Sequence, residues 1–290
     1  MMWCGPLSAA WRTTVNPMTL PQPPLGEDLR RQLRLIRRQR LLRLAAVVCF
    51  SAFMLWCLHR SGVLDLRWIA NASTRLQRII PESLPPDFSR LWSHWPGPLW
   101  ETVVMSISGT FLGILLALPL GILAARRWSP HRLLPLPVRS FLGAMRTVPE
   151  LLLAVVLVIA VGPGMLAGTL ALALHSGGML GKFYHEIMEH VEEGPVAAVR
   201  SCGGSRLQVW RYGVIAQVFP QFVDVTMFRW ECNVRAALVL GIIGAGGIGQ
   251  ELIIAMRVLR YQEALGLVLI MLALVIAVDV LSGFIRKRLT

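Results

Sequence analysis

The sequence predicts an all-α, polytopic membrane protein with about six transmembrane helices. Of its 290 residues, 55% are hydrophobic and only 16% are charged, whereas an ordinary soluble domain is about 25% charged. The charges are crowded into residues 27–43, 60–101 and 182–211, with long apolar tracts elsewhere. Several of these tracts reach the ~20 residues a helix needs to cross the hydrocarbon core.

No short apolar core with a small-residue cleavage site follows the start, so no secretory signal is read there. Met18 opens a Pro-rich stretch and offers a second candidate start. Residues 1–40 are read as a basic N-terminal segment. The arginines between residues 27 and 43 directly precede an apolar run at about 41–59, the first span. Such a basic run holds its end of the helix in the cytoplasm.

Residues 60–98 form a mixed connector, assigned to the periplasm, which closes a first region at 41–99. Its prolines interrupt helices. Trp68, Trp92, Trp95 and Trp100 suit a membrane–water interface. The main transmembrane domain is placed at 100–290. Its first span runs to Ala125, and Arg126, Arg127 and Arg132 mark the return to the cytoplasm.

From Leu151 to Gly181 the chain carries no charge apart from His175. As one helix this tract would be ~46 Å long at 1.5 Å per residue, well beyond the ~30 Å core. Gly162-Pro163-Gly164 divides it, giving spans at about 138–161 and 165–182. Arg146 and Glu150, four apart, can then face each other on one helix. A cytoplasmic loop follows at 183–212, then a span at 213–240, a glycine-rich stretch at 241–250 and a last span at 264–285. Arg286, Lys287 and Arg288 hold the C-terminus inside. Both termini are therefore expected in the cytoplasm, which requires an even number of crossings.

The net charge of +13 is read as this positive-inside bias and not as a nucleic-acid surface. The five cysteines form no CxxC pair and share no ligand spacing with histidine, so neither a disulfide framework nor a metal site is read. No GxxxxGK[ST] phosphate loop and no nucleophilic triad stands out. No catalytic residue is assigned, and His175 is read as a hydrogen-bonded interior histidine.

Two stretches remain. Residues 220–237 place Asp224, Arg229, Glu231 and Arg235 in or beside an apolar segment. Charge at membrane depth is costly and faces protein or a watery cavity. Glu231 and Arg235 are spaced to pair, and Arg229 and Asn233 share a neighbouring stripe. These residues either bind helices together or line a polar path, with Gly244, Gly246 and Gly247 in the glycine-rich stretch opening the backbone beside it. The second stretch, 195–220, reads as a short helix, a Gly203-Gly204 turn and an amphipathic helix with Leu207, Val209 and Trp210. Such a knob suggests docking onto another protein.

This knob resembles the EAA coupling motif of permease subunits in ABC importers. Ala197, Ala198 and Val199 stand at the EAA positions. Gly203 matches the motif's glycine, and Gly213, Ile215 and Ala216 fall at its I-x-L-P. The motif's Glu, second Ala and Pro are replaced. Residues 146–150 (RTVPE), 171–182 (ALALHSGGMLGK), 203–222 and 229–249 look like the permease of phosphonate-uptake ABC transporters, whose pattern the phosphite and hypophosphite permeases share. The resemblance covers about residues 100–288.

It implies a type I ABC importer permease fold of the methionine-permease kind. The implied function is the transmembrane subunit of an ATP-driven importer of phosphonate-like phosphorus oxyanions in the bacterial inner membrane. The implied partners are a second permease subunit, two ATPase subunits, a periplasmic binding protein and membrane lipid. No cofactor is bound by this chain, since ATP and Mg belong to the ATPase. Ala197, Ala198, Gly203, Ser205, Arg206 and Gln208 are the expected coupling residues, and Arg229, Glu231, Asn233 and Arg235 the expected path. An ion-coupled carrier with discontinuous helices and no ATPase is the alternative.

Overall fold

A computed structural model describes residues 25–62 and 66–289, all helix and connecting turn. Met18 and Cys4 lie outside the described residues, as does the side chain of Trp68. The chain divides into two compact units at Leu76–Gln77.

In the first unit, α1 (Leu25–Arg60) carries the basic run and the apolar run on one continuous helix. Its apolar side chains, Leu41, Val47, Phe50 and Leu55 among them, are exposed. A lipid environment is the one in which such a surface is stable. The connector is more ordered than its prolines suggest. Most of it is a helix, α2 (Leu66–Ser83), which runs across the unit boundary.

The second unit is a bundle. α3 (Pro96–Ala124) packs most extensively against α6 (Met165–Glu189). The reason is in the sequence. Gly109, Gly113, Ala117 and Gly121 recur every fourth residue along one face of α3. A Cβ on Gly113 would stand 2.7 Å from Ser176 Cβ, and one on Gly109 2.7 Å from Leu172 Cβ. Without side chains there, the two backbones close to a distance at which dispersion binds them. Small residues at such spacing drive helix association where lipid removes the hydrophobic drive.

The span expected at 138–161 is not one helix. α4 (Pro135–Thr147) and α5 (Glu150–Val161) meet at 83°. Pro149 forces the residue before it out of the helical region, and Val148 is extended at φ −80°, ψ 119°. Arg146 and Glu150 therefore sit on different helices and do not pair, contrary to the four-residue spacing. The Gly-Pro-Gly break is where the sequence puts it. Gly162 and Gly164 have φ of 97° and 136°, a region L side chains avoid.

α6 continues to Glu189, so the polar loop expected from residue 183 begins seven residues later, at His190. It holds α7 (Glu193–Ser201). The chain then passes from α8 (Arg206–Gln208) through a π-helical stretch (Val209–Ile215) into α9 (Ala216–Ile242). α10 (Ile248–Arg257) and α11 (Tyr261–Leu289) complete the bundle.

Among the described residues, three helices are long and apolar enough to cross a membrane, or four if the bent pair α4–α5 is one span. α6 and α9 occupy the two other expected spans, but their composition falls short. Their polar residues point inward: Thr169, Ser176 and His185 on α6, and Thr226, Arg229, Glu231 and Asn233 on α9, are buried.

The bundle has two ends. At one, α3 and α11 begin, and Trp95 is buried in a cluster with Ile248, Ala264 and Leu267. Trp95 is thus a core residue and not an interfacial one, while Trp92 and Trp100 are exposed. At the other end, Ala125, Met188, Val191, Val196 and Val214 form a core under α7. Arg139 pairs with Glu189 there, and Trp128 Nε1 donates to the carbonyl of Met188 at 3.1 Å.

Candidate functional site

The polar residues of α9 fall on two faces. Arg229 and Asn233, one turn apart, face α3 and α6. Arg229 Nε donates to Ser176 Oγ at 3.0 Å, and its Nη2 to Glu150 Oε2 at 3.2 Å. Asn233 Nδ2 donates to Thr110 Oγ1 at 2.8 Å and to Ser176 Oγ at 2.9 Å. Thr110 Oγ1 in turn donates to the Ser106 carbonyl at 2.7 Å. Asn233 is wholly buried. Five residues from four helices thus satisfy one another in the centre of the bundle. Leaving any such group unpaired at low dielectric would cost several times what the bond itself contributes.

Glu231 and Arg235 face α11 instead, and they do not pair with each other. Glu231 accepts from Arg286 Nη2 at 2.7 Å, and Arg235 Nη1 lies 3.5 Å from Asp279 Oδ1. Arg286 also reaches Asp224 at 3.7 Å. A partner on a neighbouring helix took each charge that the four-residue spacing had paired locally.

Gly244, Gly246 and Gly247 do not join these residues. They form the turn between α9 and α10, ~22 Å along the helix from Arg229 at 1.5 Å per residue. All three have positive φ, from 75° to 91°. The turn presents Gly247 N–H to Glu101 Oε2 at 3.0 Å and Ile248 N–H to Thr102 Oγ1 at 2.9 Å. Gly164 N–H donates to the Gly244 carbonyl at 2.9 Å. The two glycine breaks thereby meet at one end of the bundle.

A cavity of 540 Å³ opens at the α4–α5 elbow. Pro149, Glu150, Leu151, His175, Cys232, Arg235 and Ala236 line it. His175 is half-buried in the wall, and its Nδ1 is buried without a partner. So is Arg146 Nε beside it.

The expected coupling residues gather at the opposite end from the glycine turns. Ala197 and Ala198 lie on the exposed face of α7, while Val196 faces the core. Gly203, at φ 77°, closes α7 with two bonds that terminate helices: Gly203 N–H to the Arg200 carbonyl and Gly204 N–H to the Val199 carbonyl, each at 3.1 Å. Ser205 and Gln208 cap α8 reciprocally, Ser205 N–H to Gln208 Oε1 at 2.7 Å and Gln208 N–H to Ser205 Oγ at 3.4 Å. Their polar atoms are turned to the loop itself. Arg206 is exposed, and Leu207 projects with 80% of its surface open.

Sequence reasoning missed Glu150 and Ser176 as the partners of Arg229, and Thr110 as a partner of Asn233. The signal was present as small hydroxyl residues on the glycine-bearing faces of α3 and α6.

Residues 117–290 match the family described as "Binding-protein-dependent transport system inner membrane component". A phosphite transport system permease protein of Stutzerimonas stutzeri is 44% identical over 241 residues, 83% of this chain and 87% of that protein. A phosphate-import permease protein of Mycolicibacterium smegmatis is 40% identical over 241 residues, 83% of this chain and 44% of that protein. Among solved structures, the MetNI methionine ABC transporter in inward-facing conformations is similar with a TM-score of 0.57 at 21% identity. The match covers 66% of this chain and 94% of that one.

Proposed function

Because the chain belongs to the family of binding-protein-dependent transport system inner membrane components, we propose that it carries phosphite or phosphonate through the membrane as half of a permease dimer. The family makes it a multi-pass inner-membrane transport component that catalyses no reaction itself. Its ATPase is a separate subunit, and a binding protein is its second partner. The methionine-permease-like fold expected from the resemblance is the one found.

The substrate class rests on the relatives. The phosphite permease protein of Stutzerimonas stutzeri aligns with most of this chain at 44% identity. Guanidinium groups suit phosphorus oxyanions through forked, charge-assisted hydrogen bonds, and α9 supplies two arginines at membrane depth. In this reading both termini and the 190–208 knob face the cytoplasm, and the glycine turns face the binding protein.

The observation that carries the coupling role is Leu207. It is four-fifths exposed beside the reciprocally capped start of α8, and so offers an apolar contact at the tip of the knob. A groove on the ATPase would cover it, with Ala197 and Ala198 giving the close approach and Arg206 a charged contact. Motion of the ATPase pair would reach the bundle through α8, which runs on into α9 and so to Arg229.

The test is ATP hydrolysis by the permease co-purified with its ATPase. The expected result is stimulation by the binding protein loaded with phosphite or methylphosphonate, and none by the empty protein. Stimulation by a loaded amino acid instead would refute the substrate class.

A further inference from the structure

The 540 Å³ cavity at the elbow is not accounted for by structural pairing. Its walls bring together an arginine loosely held, a histidine with an unused nitrogen and a carboxylate bound to a second arginine. Arg235 is held by two long contacts, Nη1 to Asp279 Oδ1 at 3.5 Å and Nη2 to Cys232 Sγ at 3.7 Å, with 46% of its side chain exposed. His175 lines the wall, with its Nδ1 buried behind the surface and without a partner. Glu150 is 32% exposed on the cavity side, whereas its partner Arg229 is 9% exposed behind it. Arg229 is held at its other edge by Ser176, so Glu150 is the more exposed and less tethered half of the pair.

We infer that this cavity is a seat for the permeant oxyanion, where Arg235 and His175 receive it and Glu150 is the internal anion it competes with for Arg229. The inference rests on the reading of the chain as an oxyanion permease. The chemistry is an exchange of like for like. An empty site would leave Arg229 buried and unpaired, which is expensive, so a resident carboxylate stands in for the substrate. The resident also limits affinity. A charge-assisted bond to two free arginines would hold the anion too long for release, and Glu150 lowers that hold by competing. Its position just after Pro149, at the first residue of α5, links the exchange to the 83° elbow between α4 and α5.

Cys232 lines the same cavity and provides a reporter. The experiment uses the assembled complex of permease, ATPase and binding protein in detergent. Two thiol reagents of similar size are compared, the anionic sulfonatoethyl and the cationic trimethylammonioethyl methanethiosulfonates, with modification at Cys232 read by peptide mass spectrometry. The anionic reagent should react faster, and millimolar phosphite should slow it, while sulfate at equal ionic strength should slow it less. Arg235→Gln should remove the preference and the protection. Glu150→Gln should shift half-protection to a phosphite concentration about tenfold lower, the effect of one charge-assisted competitor, and Glu150→Asp should restore the wild-type value. Equal rates for both reagents, no protection by phosphite, or a Cys232 inert to both would overturn the inference in a complex that still takes up phosphite. A wild-type complex that takes up no phosphorus oxyanion would instead overturn the proposed substrate.

Discussion

The seam between α3, α6 and α9 and the knob at 193–208 solve opposite problems. The seam is sealed. Glycines remove side chains so that backbones touch, and Thr110, Ser176, Asn233, Arg229 and Glu150 consume one another's hydrogen bonds. The knob satisfies its own backbone by local caps and leaves an apolar side chain in the open. The difference teaches where each kind of residue gets its meaning. A seam residue is fixed by partners dozens of positions away, and a knob residue by neighbours within five.

The comparison breaks most easily at Arg229. Arg229→Ala should destabilise the protein by about 3 kcal/mol, the low end for breaking a buried pair, because Glu150 keeps some exposure. Thermal unfolding of the purified permease would measure it. Removing Glu150 as well should recover part of the loss, since the cost lies in the orphaned charge.

Gly113→Ala should come next, at about 1–3 kcal/mol for overpacking, seen as a lower unfolding temperature. A Gly113→Ala chain as stable as wild type would mean that α3 and α6 can separate at no cost. On the knob, Ser205→Ala should cost about 1 kcal/mol as a lost helix cap, read as a drop in helicity and melting temperature of the complex. Leu207→Ser should change stability by less than about 0.5 kcal/mol, yet weaken co-purification of the ATPase. That pairing of outcomes separates a docking residue from a core residue.

Legibility followed the same division. The knob could be read from residues 195–220 because its determinants are local: a short helix, a glycine turn whose Gly203 has φ of 77°, and an amphipathic helix. The Ser205–Gln208 cap emerged only in the structure. The breaks at Gly162–Gly164 and Gly244–Gly247 were legible for the same reason. The seam was half legible. The sequence showed that Arg229 and Asn233 share a stripe, but not what faces it. Glu150 was assigned to Arg146, and Glu231 to Arg235, because helical spacing is the one contact rule that a single sequence provides. Pro149 broke the first pair by turning the chain, and α11 broke the second by offering Arg286 and Asp279. Trp95 misled in the same way, since a tryptophan in a Pro-rich connector looks interfacial until α10 and α11 close over it.

The smallest effect is one of pH. Beyond the expected end of the α6 span, burial disfavours the Glu189 carboxylate, but the Arg126 N–H and the Arg139 guanidinium outweigh it and hold its pKa below the ordinary glutamate range. A depressed folded-state pKa gives stability that is complete above the unfolded value and is lost as pH falls through the folded one. Glu189→Gln should therefore lower stability at neutral pH, converge with wild type in acid, and flatten the limb below about pH 4.3.

The claim that joins these parts is that an ATPase drives a phosphorus oxyanion through this bundle. Uptake of radiolabelled phosphite into proteoliposomes holding the full complex tests it most directly, with ATP on the ATPase side and binding protein on the other. The account predicts uptake that needs both and stops when the ATPase carries an inactivating substitution. Uptake that continues with the inactive ATPase and follows an imposed ion gradient would contradict it.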